Sequence, residues 1–79
     1  MVIYLKAGGM LRDMLKPDVD FYTRKVEVEA GKNIHEILTD INVSPANVAF
    51  VYTDGKMQRL DYFPSEGQHI TLQPPVSGG

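Results

Sequence analysis

The sequence predicts an α+β fold: a mixed sheet of about five strands around one main helix. Three observations carry that prediction. Five short runs rich in β-forming residues are spread along the chain and bounded by Gly, Pro, Asn or Asp. One segment, opening at Asn33, joins a helix-capping signal to an apolar stripe at helical spacing. The order is strand, strand, helix, strand, strand, strand, which suits a sheet whose first and last strands pair in parallel with the helix packed across it.

The first strand is Val2 to Lys6, apolar and β-prone, and Gly8-Gly9 breaks it. Met10 to Leu15 forms a short helical turn with Leu11, Met14 and Leu15 on one side. Pro17 ends the turn, because a proline disfavours helical backbone in the residue before it. The second strand runs from Thr23 to Glu29, with Val26 and Val28 alternating against Lys25, Glu27 and Glu29. Ala30-Gly31-Lys32 turns the chain. Asn33 is then an N-cap, with Glu36 placed to close a capping box. Ile34, Ile37, Leu38 and Ile41 make the buried stripe of the main helix.

Asn42 to Asn47 contains Ser44-Pro45 and reads as a loop. Val48 to Thr53 is apolar on both faces, which predicts an internal strand. Asp54-Gly55 is a type I′ hairpin signal, and the fourth strand returns from Lys56 to Asp61. Phe63 to Gly67 crosses irregularly to the last strand, His69 to Gln73, with Ile70 and Leu72 facing in. Pro74-Pro75 stops it, because proline has no N–H for a sheet ladder. The predicted organisation is one domain over 1–73 and an extended tail over 74–79.

Composition bounds the chemistry. The 79 residues suffice for one small domain and a modest core. The chain has no cysteine, so no thiolate attacks a substrate or binds a metal, and the absence points mildly to a reducing compartment. A net charge of −2 argues for neither a nucleic-acid nor a membrane surface. The first residues lack a basic leader segment, and no stretch approaches the roughly 20 apolar residues of a membrane span. The expected location is the cytoplasm.

The tail, Pro74-Pro75-Val76-Ser77-Gly78-Gly79, is the feature that suggests chemistry. Two prolines stiffen the exit from the last strand. Two glycines then present a carboxylate with no Cβ beside it, free to enter a narrow channel and open to attack at its carbonyl carbon. The alternative is an inert chain end. Gly78-Gly79 alone arises by chance in roughly one chain in 200; its place just after Pro-Pro and a final core strand favours function.

Other candidates are weaker. His35 and His69 have no metal-ligand spacing and read as surface or boundary histidines. Asp18 and Asp20 sit together in a Pro-containing loop, where solvation explains them better than acid–base chemistry. Gly8-Gly9 lacks the spacing and lysine of a phosphate loop and reads as a turn. Met10 and Met14 suggest either core packing, the favoured reading, or a partner-binding ridge. Tyr52, Tyr62 and Phe63, with Met57 and Leu60, suggest a partner-docking patch, although some of them must be core in so small a domain.

Taken together, the tail, the Leu11-Arg12 turn, the stretch from Val26 to Lys32 with its Ile-rich helix, and the Pro64-to-Gly67 crossing resemble the ubiquitin-like sulfur carriers. The likeness covers most of the chain and points to the molybdopterin synthase small subunit type, with the thiamine sulfur carrier type behind it. It implies a β-grasp fold. It also implies that Gly79 is adenylated by an E1-like adenylyltransferase using ATP and then thiocarboxylated, with Pro74, Pro75, Val76, Ser77 and Gly78 binding in the partner's channel. The implied partner is the large subunit of molybdopterin synthase or another sulfur-accepting enzyme. The chain itself would be a carrier rather than an enzyme, with no bound cofactor or metal. A protein modifier that ends as an isopeptide is the alternative fate, and a plain interaction module is the alternative class. This chain departs from the family's pattern in having Gln68 after Gly67 and Gln73 before the prolines, where the family commonly has Asp and an aromatic residue.

Overall fold

The structure, a computed structural model, describes residues 1–75. Its strands are β1 (Val2–Lys6), β2 (Thr23–Glu27), β3 (Phe50–Thr53), β4 (Lys56–Gln58) and β5 (His69–Gln73). Two helices, α1 (Gly9–Leu15) and α2 (Ile34–Asp40), and a 3-10 turn at Pro45–Asn47 complete it. The sheet order is β2-β1-β5-β3-β4. β1 and β5 pair in parallel, Tyr4 opposite His69 and Lys6 opposite Thr71, as the element order requires. The remaining pairs are antiparallel. This is a β-grasp arrangement, with the helices on one face of the sheet and the other face left open among the described residues.

The core lies between the sheet and the helices. Ile3 and Leu5 from β1, Val51 from β3 and Ile70 and Leu72 from β5 meet Leu11 and Leu15 of α1 and Ile34, Ile37 and Leu38 of α2. All are buried, so the helical stripe and the strand alternation do what their periods imply. Ile41 falls one residue past α2, as its C-cap, and is half-buried.

The capping box forms as expected. The Asn33 side chain accepts from the Glu36 N–H at 2.9 Å, and Glu36 accepts from the Asn33 N–H at 3.1 Å. Replacing Asn33 by Ala is expected to cost about 1 kcal/mol. In a domain this small that lowers the melting temperature by roughly 4–8 °C, readable by circular dichroism. At the hairpin, Asp54 and Gly55 have φ of 52° and 76°, positive at both central positions as a type I′ turn demands.

Three strand expectations need correction. β4 ends at Gln58, not Asp61. The physical reason is α2: the first N–H groups of a helix have no partner within it. Ile34 N–H donates to the Tyr62 carbonyl at 3.0 Å and His35 N–H to the Leu60 carbonyl at 2.9 Å. The segment after β4 is therefore drawn off the sheet to serve the helix. β2 stops at Glu27, two residues early, with Val28 N–H bonded to the Met1 carbonyl as the ladder ends.

β3 starts at Phe50, because Val48 closes the 3-10 turn. It is internal, between β5 and β4, but it is not covered on both sides. Val51 and Thr53 face the core, while Phe50 is half-buried and Tyr52 exposed on the open face. An open sheet face is ordinary for antiparallel pairing and tolerates aromatic residues at its surface.

Candidate functional site

The candidate site is the exit of the chain from β5. β5 sits between β1 and β3, so its direction is held from both sides. The antiparallel register sets Phe50 opposite Gln73, and the Ala49 N–H donates to the Gln73 carbonyl at 2.8 Å. Pro74 and Pro75 follow, both exposed and without N–H groups to prolong the ladder. A proline also confines the residue before it to extended backbone, so Gln73 and Pro74 are restricted in turn. The stop is thus a property of the sequence. Its position in a central strand is a property of the fold.

Because β1 and β5 run parallel, the end of β5 lies beside the end of β1. Lys6, Ala7, Gly8 and Gly9 share an open groove of about 490 Å³ with Tyr22, Thr71, Leu72, Gln73 and Pro74. On the side of α1, a smaller groove of about 170 Å³ is lined by Met10, Leu11, Met14, Asn47, Pro74 and Pro75. Pro74 belongs to both. Gly9 has a φ of 58°, in the left-handed region that only glycine adopts freely, so Gly8-Gly9 serves as the turn from β1 into α1. Leu11 and Leu15 of α1 are core and Met14 leans on them, whereas Met10 is 84% exposed. Met10 therefore corrects the core-packing expectation.

The loop before β2 contributes aromatic surface for which the sequence offers no periodicity. Phe21 and Tyr22 are exposed, their rings 4.8 Å apart edge to face. The Arg12 guanidinium lies 3.7 Å from the Phe21 ring centre, and its Nε donates to the Phe21 carbonyl at 2.6 Å. The available signal was two large aromatic residues in a Pro/Asp loop, outside any strand or helix, with an arginine on the neighbouring turn.

Asp18 and Asp20 shape this loop. Asp18 accepts from the Lys25 N–H, and Asp20 from the Tyr22 N–H, each at 2.9 Å. The Tyr22 N–H, followed by the Thr23 hydroxyl, holds the Asp20 carboxyl below its ordinary pKa of 3.8. A depressed carboxylate stabilises the fold above the unfolded value and loses that contribution as pH falls through the folded value. The Tyr22 amide resonance is therefore expected to titrate with a midpoint below 3.8 in a proton NMR series.

The proposed patch residues are distributed between core and surface. Leu60 and Tyr62 are half-buried against the core, and Tyr62 Oη accepts from Gln68 Nε2 at 2.8 Å. Met57 and Phe63 are exposed. Met57 stands opposite Tyr52 on the open face of the sheet, where Phe50 and Tyr52 pack edge to face at 5.4 Å. Aromatic surface beside the tail thus comes from Phe50, across the strand from Gln73. His69 stacks on Tyr4 at 4.6 Å, and His35 is exposed in the first turn of α2. Among the described residues no group of three His, Cys, Asp or Glu is placed to hold a metal ion, and no helix is long and apolar enough to cross a membrane. Val76, Ser77, Gly78 and Gly79 lie outside the described residues.

The class the fold defines is β-grasp. Two solved structures share it over essentially the whole chain. SAMP1 from Haloferax volcanii superposes with a TM-score of 0.68 at 20% identity, over 100% of each chain. A Pyrococcus furiosus protein provisionally described as molybdopterin converting factor, subunit 1, superposes with a TM-score of 0.67 at 13% identity, over 95% of this chain and 98% of that one. No protein-family model and no curated protein sequence matches the chain.

Proposed function

We propose that this chain is a sulfur carrier whose reactive group is the Gly79 carboxylate. The observation that carries the reading is the root of the tail. A Pro-Pro pair leaves the central parallel strand of a β-grasp domain and is followed at once by Val76-Ser77-Gly78-Gly79. A folded domain whose central strand leads through two prolines to a Gly-Gly sequence suits the insertion of a carboxylate into another protein's active site. The likeness in fold to a protein described as molybdopterin converting factor, subunit 1, supports the same reading.

In the proposed cycle an E1-like adenylyltransferase binds ATP. The Gly79 carboxylate attacks the α-phosphorus and releases pyrophosphate, which leaves an acyl-adenylate. A sulfide donor then adds to the carbonyl carbon and AMP departs, giving a thiocarboxylate. The tail next enters the large subunit of molybdopterin synthase, or another sulfur-accepting enzyme, and delivers sulfur to the pterin precursor. Gly78 and Gly79 keep the channel free of side chains, Val76 and Ser77 give reach, and Pro74 and Pro75 aim the segment. The chain is a substrate of these enzymes and holds neither ATP nor metal. Because activation consumes ATP, the cycle belongs in the cytoplasm.

Intact-protein mass spectrometry tests this, after incubation with the organism's E1-like enzyme, ATP and sulfide. The expected product gains the mass difference of one oxygen exchanged for sulfur, located at Gly79. No adenylate and no thiocarboxylate, with an enzyme shown to be active, would leave an interaction module as the better account. The same acyl-adenylate can instead accept a lysine amine, and branched peptides in the digest would identify that fate.

A further inference from the structure

We propose that the loop before β2 is a latch on the free edge of that strand, held by Asp18, and that its release lets the edge pair with the same edge of a second copy of this chain. β2 ends the sheet on one side and β4 on the other. An edge strand presents unpaired N–H and C=O groups that another strand can use. β4, with three residues, is a poor template; β2 has five.

The β1–β2 ladder fixes which groups of β2 face outward. In an antiparallel pair, hydrogen-bonded residues alternate with residues whose N–H and C=O point away from the partner. Ala7 N–H donates to the Tyr22 carbonyl at 3.1 Å and Val28 N–H to the Met1 carbonyl at 2.8 Å, so the even-numbered residues of this stretch face β1. Thr23, Lys25 and Glu27 therefore turn their main-chain groups to the open edge.

Asp18 occupies the first part of that edge. Its N–H donates to the Thr23 carbonyl at 3.0 Å, and its Oδ1 accepts from the Lys25 N–H at 2.9 Å. A residue in a parallel strand opposite Arg24 would make this same pair of bonds, to the residues on either side of Arg24. The carboxylate stands in for a main-chain carbonyl, so one residue imitates a strand without prolonging it. Val19 N–H also donates to the Thr23 carbonyl, at 2.9 Å, and Arg24 Nη1 donates to the Leu15 carbonyl at 3.1 Å, which ties the end of α1 to β2. Past this point, among the described residues, nothing bonds the Lys25 carbonyl or the main-chain groups of Glu27. That remnant is shorter than an ordinary strand. With Asp18 withdrawn, the open edge runs from the Thr23 carbonyl to the Glu27 carbonyl.

Charge specifies the occupant. Lys25 and Glu27 are both exposed and, two positions apart, lie on the same face of the strand. When two copies of β2 meet antiparallel about a two-fold axis between these positions, Lys25 of each stands opposite Glu27 of the other. Opposite charges facing one another across strands attract. A register one ladder step away sets Glu27 against Glu27 or Lys25 against Lys25, so charge selects a single pairing. The contact uses the same edge of both copies, so it closes at two chains and does not propagate.

Sedimentation velocity at about 500 μM, a concentration that detects weak association, reads the outcome. The wild-type chain is expected to run at the mass of one chain. Asp18→Asn should do the same, because Asn keeps the Oδ1 acceptor. Asp18→Ala should run at twice that mass, and the double variant Asp18→Ala with Lys25→Glu should return to one chain. Circular dichroism checks that each variant is folded. A second measurement needs no variant: in the wild-type chain the Lys25 amide should exchange with solvent at least about tenfold more slowly than the Glu27 amide. Equal exchange at the two amides overturns the proposal. So does a wild-type chain that is already dimeric, a folded Asp18→Ala chain that stays single, Asp18→Asn dimerising as fully as Asp18→Ala, or a double variant that still pairs.

Discussion

Removal of Gly78 and Gly79 is expected to abolish activation by the E1-like enzyme, leaving thiocarboxylate at background while the melting temperature stays within about 1 °C of the intact chain. The two effects separate because the fold and the chemistry use different residues. The core is built from Ile3 to Leu72, and the last ladder bond of β5 is at Gln73. Loss of the glycines leaves those bonds in place and takes away the carbonyl proposed to react. The shortened chain would end at Ser77, whose carboxylate lies two residues, about 7 Å, short of the proposed position. A displacement of even ~1 Å can cost about 10²-fold in a positioned reaction, so a shift of this size removes it. A gentler variant, Gly79→Val, keeps the reach and adds a branched Cβ beside the carbonyl. It should be activated at least ~10²-fold more slowly. Intact mass for the product and circular dichroism for the fold check both variants. Activation of the shortened chain at the normal rate would show that the tail is inert.

The second large effect is on stability. Ile37→Ala is expected to cost about 3 kcal/mol, within the range for a buried isoleucine cut to alanine. Ile37 has no exposed surface and stands in the middle of the α2 stripe that seats the helix on the sheet. A domain of this size is only marginally stable, on the order of 5 kcal/mol, so most of its stability is at stake. The melting temperature should fall by roughly 12–24 °C. The change should also loosen the segment after β4, since the carbonyls of Leu60 and Tyr62 are bonded to the N-terminus of that same helix. Urea unfolding measures the first effect, and hydrogen exchange at Ile34 and His35 the second. A loss below 1 kcal/mol would mean that Leu38 and Ile34 close over the gap.

Much of this architecture follows from local rules that act within a few residues. The Asn33–Glu36 capping box, the Asp54-Gly55 turn, the stripe of Ile34, Ile37 and Leu38, and the alternation in β5 each depend on backbone geometry and spacing alone. The Pro-Pro stop is of the same kind, because a missing N–H ends a ladder whatever surrounds it. The proposal of a reacting end at Gly78-Gly79 rests likewise on a local property, the lack of a side chain.

Competition between distant groups decided the rest. Leu60 and Tyr62 have the composition of a strand, yet their carbonyls answer the unpaired N–H groups of α2, and β4 stops at Gln58. Val48 to Thr53 is largely apolar on both faces, but among the described residues nothing covers the open side of the sheet, so Phe50 and Tyr52 face outward. Met10 differs from Leu11 by one position and 100° of helix rotation, and only the seating of α1 on the core places one inside and the other at the rim of the tail. The sequence by itself determined the elements and their order. The tertiary structure alone determined what stands next to Pro74 and Pro75, because parallel pairing of β1 with β5 joins residues more than sixty positions apart.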